Sequence, residues 1–192
     1  MLNKVTIDGM VYEKELKGKY IYLKACTEDD AEFALAIRNN EAFAGKIPTL
    51  NISVDQQRDW IKKQRQKEGD YFFIVWDSND NRIGTISIYD VKGDTAESGR
   101  LAILGNALQT MEAQMLSFEF AFEELRIKHL LGYIYADNTS AIRFNKLFNG
   151  IHGKVEVDSN GREIVPIENT PEGFFAAKES IKKFIYRNKK EY

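Results

Sequence analysis

Residues 96–148 read AESGRLAILGNALQTMEAQMLSFEFAFEELRIKHLLGYIYADNTSAIRFNKLF, and their order of patterns decides the fold. Leu108, Met111, Met115, Phe118, Phe122 and Leu125 recur every three or four residues, which is one apolar stripe on an α-helix. Such a stripe packs a core, so function is sought at the helix N-terminus and not along it. Upstream, Glu97 to Leu104 reads as a strand interrupted by Gly99, a residue that marks a bulge or a close backbone approach. Downstream, His129 to Ala136 is a strand of the buried type, and Asn138-Thr139-Ser140 offers the cap of a short helix, AIRFNKLF. The segment is strand, helix, strand, helix.

Working outward, Tyr71 to Asp77 and Arg82 to Tyr89 flank the turn residues Ser78-Asn79-Asp80-Asn81 and predict an antiparallel hairpin. Before it come a strand at Tyr20 to Ala25, a helix opened by Thr27 and ended by Asn39-Asn40 near Arg38, and a second helix capped by Ser53 and closed by Gly69. Asp8-Gly9 suits the tip of an opening hairpin between Lys4 to Ile7 and Val11 to Glu15. At the other end, Val155 to Asp158 and Glu163 to Ile167 form a hairpin, and Thr170-Pro171-Glu172 starts a basic helix with a solvated face. The expected class is α+β, with one domain over residues 1–192 in which the hairpin 1–18 and the helix 171–192 are appendages.

Composition narrows the function. With 43% hydrophobic and 29% charged residues, the chain is neither disordered nor fibrous. Lys and Arg number 27 against 29 Asp and Glu, so no global positive field draws the protein to nucleic acid or to a membrane surface. An anionic ligand must be held locally. One cysteine, Cys26, and two histidines, His129 and His152, exclude a structural disulfide and argue against any metal site. The start of the sequence lacks a secretory pattern and no stretch approaches the ~20 apolar residues of a membrane span, so a cytoplasmic location is expected.

The run YFFIVWDSNDNRIGTISIYD (71–90), then AESGRLAIL, the amphipathic helix and LLGYIYADNTSAIRFNKLF, resembles the GNAT superfamily of acetyl-CoA-dependent N-acetyltransferases over roughly residues 19–168. TEDDAEFALAIRNN (27–40) is similar to the opening of the branch holding ribosomal-protein, polyamine and sugar-nucleotide acetyltransferases. The resemblance implies a mixed, mostly antiparallel sheet with helices on both faces, in which the strands near 97–104 and 130–136 splay apart. The gap would take the pantetheine arm of acetyl-CoA, with Ala102, Ile103 and Leu104 supplying strand-like backbone pairing. The pyrophosphate would meet the amides of Gly105, Asn106, Ala107, Leu108, Gln109, Thr110 and Met111. Relatives carry Q/R-x-x-G-x-G/A here, and this chain keeps only Gly105 as glycine. They also carry Asn-x-x-Ala-x-x-x-Tyr after the fifth strand. Asn138 and Ala141 match it, while Asn145 stands where the acidic Tyr would be, able to hydrogen-bond a sulfur but not to protonate it.

For the chemistry, Glu97 matches a Glu often found on that strand and is the candidate base for the acceptor ammonium; its alternative is a solvent-facing edge charge. Tyr135 is a weaker candidate for the acid, with core packing as its alternative, and His152 reads as a surface histidine. The stretch 37–64 is most similar to the sugar-nucleotide amino-acetyltransferases. Arg38 would hold a phosphate or carboxylate, Asn39 would read hydroxyls, and Phe43 or Trp60 would stack on a base or sugar, though Trp60 equally suits packing. Three functions stay open. The first is acetyl transfer to the primary amine of a small activated amino sugar. The second is the same chemistry on a polyamine or protein N-terminus, and the third is a non-catalytic module. A homodimer is also left open.

Overall fold

The computed structural model describes residues 11–187. In chain order the elements are β1 (Leu16–Lys17), β2 (Ile21–Ala25), α1 (Ala31–Arg38), α2 (Val54–Gln64), β3 (Tyr71–Asp77), β4 (Arg82–Lys92), β5 (Thr95–Ile103), α3 (Ala107–Glu119), β6 (His129–Tyr135), α4 (Thr139–Lys146), β7 (Ile151–His152), β8 (Glu156–Val157), β9 (Glu163–Asn169) and α5 (Pro171–Ile185). They form one sheet in the order β1-β2-β3-β4-β5-β6-β9-β7, with β8 also on β9. Every pairing is antiparallel except β5 with β6.

Helices cover both faces, and strand alternation explains the apolar run of β3. Phe73 and Val75 enter one core with α3 and α5, whereas Phe72 and Ile74 enter a second with Cys26, Ala31, Ala34 and Ile61 under α1 and α2. The expected caps are in place. Ser53 accepts from the Gln56 amide and Gln56 reaches back to Ser53; Asn138 and Thr170 cap α4 and α5. The second helix ends at Gln64 instead of running to Gly69, whose φ of +71° makes the turn into β3.

Three expectations need correction or placement. The first arm of the opening hairpin lies outside the described residues; Val11 to Glu15 is not a strand, and Leu16–Lys17 pairs instead with Leu23 and Tyr22. The C-terminal helix is no appendage: Phe174, Ala177, Ile181 and Ile185 are buried in the main core, and Phe174 meets Phe118 edge to face at 5.7 Å. Its Lys178 is paired with Glu119 at 2.9 Å and Glu123 at 2.7 Å and is not simply solvated. The apolar stripe of α3 also understates its burial, since every residue from Met111 to Phe118 is buried. Lying between the sheet and α5, the helix ends in a single wide turn at Phe120–Glu124.

That position buries a carboxylate. Glu112 is fully buried and accepts from the amides of Lys19 (2.8 Å), Tyr20 (2.7 Å) and Ile21 (3.1 Å) and from the Tyr186 hydroxyl (2.7 Å). The amides entering β2 are thus satisfied by an ionised side chain from a helix more than ninety residues on, which joins β2, α3 and the residue after α5 at one point. Gly18 is a glycine for the same reason: a Cβ there would come within 2.4 Å of the carboxylate.

Replacing Glu112 by Leu strands three amides and a phenol and is expected to cost about 3–5 kcal/mol, while Tyr186→Phe removes one bond to a charged group and costs about 1–3 kcal/mol. Equilibrium urea unfolding gives both values. Equal losses in the two variants would show that the amides do not depend on the carboxylate.

Candidate active site

The parallel pairing of β5 with β6 covers three rungs, Thr95 with His129, Ala96 with Leu130 and Glu97 with Leu131. Beyond them β5 runs on to Ile103 and β6 to Tyr135 without pairing each other, so the strands diverge as the resemblance implies. A bulge accompanies the divergence. Between Thr85–Ala102 and Ser87–Gly99, β4 advances by two residues and β5 by three, and the extra residue falls next to Gly99, with Arg100 in the left-handed region at φ +50°.

Backbone parity then says which groups face the gap. The Leu104 amide donates to the Ile83 carbonyl at 2.7 Å, so alternation along the antiparallel ladder turns the N–H and C=O of Ala102 to β4 as well. Ile103 lies between them and offers both groups to the open side. Of the three residues named for pairing with a pantetheine arm, one has its backbone free to do so.

At the far end of β5, α3 begins with its amides already engaged. The Asn106 side chain accepts from Leu108 (2.9 Å) and Gln109 (3.1 Å), and Gln109 Oε1 accepts from the Asn106 amide (2.9 Å). This reciprocal box leaves the amides of Gly105 and Ala107 without a partner among the described residues. The Thr110 hydroxyl turns back to the Asn106 carbonyl and Met111 is buried. A Cβ at Gly105 would lie 2.9 Å from Gln109 Oε1, the atom that closes this box.

The face carrying α1 and α2 holds a cavity of about 460 Å³ behind the bulge. Leu50, Ile52, Trp60 and Phe72 give it apolar walls; Arg38, Arg100, Gln56, Gln57 and Thr85 give it polar ones, and among the described residues no carboxylate lines it. Arg38 Nε donates to the Pro48 carbonyl at 2.7 Å, and its guanidinium has no ion-pair partner among the described residues. Burial lowers its pKa, opposed by the nearby phenols of Tyr133 and Tyr135. Asn39 pairs with the Leu50 backbone in both directions at 2.8 Å, so its carboxamide straps the 48–50 loop to α1. Phe43 is half-buried in the single turn Glu41–Phe43 of the same loop.

Glu97 and Tyr135 stand on the two diverging strands, and Asn138 caps the helix that follows the second. Glu97 is exposed on the last paired rung and stands opposite Tyr89 on β4. Burial pushes the Tyr89 phenol up, and the Glu97 carboxylate beside it adds to the rise by charge and by hydrogen bonding. Tyr135 is buried with the Arg162 guanidinium 3.5 Å above its ring, and Arg162 also meets Asp137 and the Gly45 carbonyl, tying the loop that follows Phe43 to the strand. Asn138 accepts from the Ala141 amide at 3.2 Å as a helix cap.

Asn145 is placed elsewhere. It is buried, donates to Asn169 Oδ1 at 2.9 Å and pairs through Oδ1 with His152 Nε2 at 2.8 Å, so its side chain belongs to a network joining α4, β7 and β9. His152 is correspondingly half-buried, and burial with Lys146 lowers its pKa, where a surface histidine was expected. Sequence reasoning missed Tyr89, Arg100 and Arg162. Gly99 signalled the bulge, but nothing local signals which neighbour turns left-handed; Arg162 follows a turn glycine and carries no signal.

Among the described residues no helix is long and apolar enough to cross a membrane, and no group of three or more His, Cys, Asp or Glu is placed to hold a metal. Residues 21–146 match the family model of the acetyltransferase (GNAT) domain. No curated protein sequence matches the chain. Among solved structures it is similar to apo FdhC, a nucleotide-linked sugar GNAT, with a TM-score of 0.78 at 22% identity over 90% of this chain and 99% of that one. A GCN5-related N-acetyltransferase from Brucella melitensis gives 0.74 at 16% identity over 90% of this chain and 86% of the other. Spermidine N-acetyltransferase from Vibrio cholerae, in complex with CoA and spermine, gives 0.73 at 14% identity over 82% and 99%. At such identities the structural likeness speaks for the fold, and it agrees with the match over 21–146: this chain belongs to the GNAT family of acetyltransferases.

Proposed function

We propose that this enzyme moves an acetyl group from acetyl-CoA to the primary amine of a small nucleotide-linked amino sugar. The observation that carries the acceptor class is the cavity behind the bulge, where a half-buried Arg38 faces apolar walls and, among the described residues, neither an ion-pair partner nor a lining carboxylate. An unpaired guanidinium held partly out of water calls for an anion, and its fork fits a phosphate oxygen pair. A polyamine would bring more positive charge to a site whose Arg38 already has no ion-pair partner among the described residues. Leu50 and Trp60 supply the apolar surface that a base or a sugar face needs. The first-named structural neighbour is itself a nucleotide-linked sugar GNAT, which supports the same reading.

The residues present fit acetyl-CoA on the other side of the bulge. The Ile103 carbonyl can accept from a peptide-like arm, which leaves its N–H for the thioester oxygen, and the Gly105 and Ala107 amides lie at the α3 N-terminus for a pyrophosphate, joined by those of Asn106, Leu108 and Gln109 once the reciprocal cap opens. Bound acetyl-CoA supplies the activated acyl carbon. Glu97, six residues back along β5 from Ile103, takes the proton of the incoming ammonium through intervening water, and the Ile103 amide donates to the oxygen on which charge develops. As the C–N bond forms and the C–S bond breaks, the departing thiol, with an ordinary pKa of about 8.5, needs little acid assistance. Tyr135 remains the phenol on that side, and Arg162 over its ring fixes where it stands. Asn39 serves this reading as the strap of the 48–50 loop, and Phe43 as part of the loop that closes the acceptor side.

Thiol release from acetyl-CoA should be seen with nucleotide-linked amino sugars and not with spermidine or short peptides, and Arg38→Ala should raise the acceptor KM roughly tenfold to a hundredfold, as expected for a lost charge-assisted contact. Turnover with spermidine that is insensitive to Arg38→Ala would contradict the acceptor class. For Glu97→Gln, kcat/KM at pH 7 should fall by about 10²–10⁴ and climb with pH as free amine accumulates, with acetyl-CoA affinity unchanged. A flat, undiminished profile would make Glu97 a mere edge charge.

A further inference from the structure

We propose that Arg100 is a positioning residue for acyl transfer, whose fork to Asp70 fixes the β5 bulge on which both the gap and the acceptor cavity are built. The inference rests on the acetyltransferase reading of the gap. Its starting point is a residue in an unexpected conformation: Arg100 carries a side chain in the left-handed region, at φ +50°, inside a strand. Such a conformation persists where the surroundings hold it.

They do so from several sides. The guanidinium reaches across β4 to a buried carboxylate, with Nη1 2.6 Å from Asp70 Oδ1 and Nη2 3.1 Å from Oδ2. It stacks over Tyr89 at 4.4 Å and Trp60 at 4.9 Å, so α2 and β4 clamp it as well. Asp70 is itself fixed by Gln64, which donates to its carbonyl at 2.6 Å and to Oδ1 at 3.2 Å. The Arg100 carbonyl accepts from the Thr85 hydroxyl at 2.8 Å. Charge distinguishes the two arginines of the cavity. Arg38 has no acid among the described residues; Arg100 has one in a two-point contact, so it serves as a strut and leaves the acceptor's anion to Arg38.

The strut matters because the bulge inverts the strand. Gly99 faces β4, and without the extra residue the next to do so would be Leu101 and Ile103, putting Ala102 and Leu104 toward β6. With it, Ile103 faces the gap. Holding Arg100 in place therefore holds the one backbone donor on which the proposed oxyanion contact depends.

Three variants separate the possibilities: Arg100→Gly, which accepts the left-handed conformation but has no tether, Arg100→Lys, which keeps a charge without the fork, and Asp70→Asn. Arg100→Gly and Asp70→Asn should weaken acetyl-CoA KM and lower kcat roughly tenfold to a hundredfold, with a smaller change in acceptor KM and partial recovery in Arg100→Lys. Amide exchange of the unliganded proteins gives a second readout, since Ala102, bonded to β4, should exchange faster in Arg100→Gly than in wild type. Unchanged exchange and kinetics in Arg100→Gly would overturn the proposal, and so would a rise confined to acceptor KM, which would make Arg100 an acceptor ligand. Faster exchange in the variant, together with a wild type to which acetyl-CoA shows no binding by calorimetry, would keep the tether and refute the acetyltransferase reading instead.

Discussion

The structure depends on where one parallel strand pair stops pairing. β5 and β6 share three rungs and then separate, and from that point the β6-facing edge of β5 has no strand partner among the described residues. Parallel neighbours need a crossover, here α3, and the crossover leaves its N-terminus at the end of β5 and returns the chain at the start of β6. The open edge and the helix start are thus consequences of one topological step. A bulge on the side away from β6 selects which residue meets the open edge.

What keeps the parts in register is a small number of buried polar contacts that reach across the sequence. Glu112 ties α3 to the entry of β2 and to Tyr186, while Arg100 ties β5 to the entry of β3. Both place an ionised group among several donors or acceptors, the arrangement in which burial of charge is tolerated. Arg38 breaks this pattern. It sits at the end of α1 with one of its N–H groups on a carbonyl and with no ion-pair partner among the described residues, and that asymmetry sets the cavity it lines apart from the rest of the interior.

The strands of five or more residues, the two hairpins after β2 and the caps at Ser53, Asn138 and Thr170 were legible because their causes are local: alternation, turn residues, and an oxygen placed before a helix. The capping pattern Asn106-x-x-Gln109 was legible too, by the same rule that reads Ser53-x-x-Gln56, although a search for free amides at α3 looks past it. The partners of Glu112, Arg100 and Asn145 were not legible. Each finds its contacts on another element, and periodicity carries no information about which buried polar residue will meet which. The left-handed turn at Arg100 is of the same kind, since Gly99 next to it is the residue a local rule would choose.

The central claim is that the edge of β5 beyond Glu97 is a seat for acetyl-CoA, and backbone amide exchange at Ile103 with and without saturating acetyl-CoA tests it most directly. The structure predicts an Ile103 amide that exchanges freely in the unliganded protein and is strongly slowed by acetyl-CoA, with Ala102 already slow in both states. An Ile103 amide protected from the outset, or one indifferent to acetyl-CoA, would contradict it.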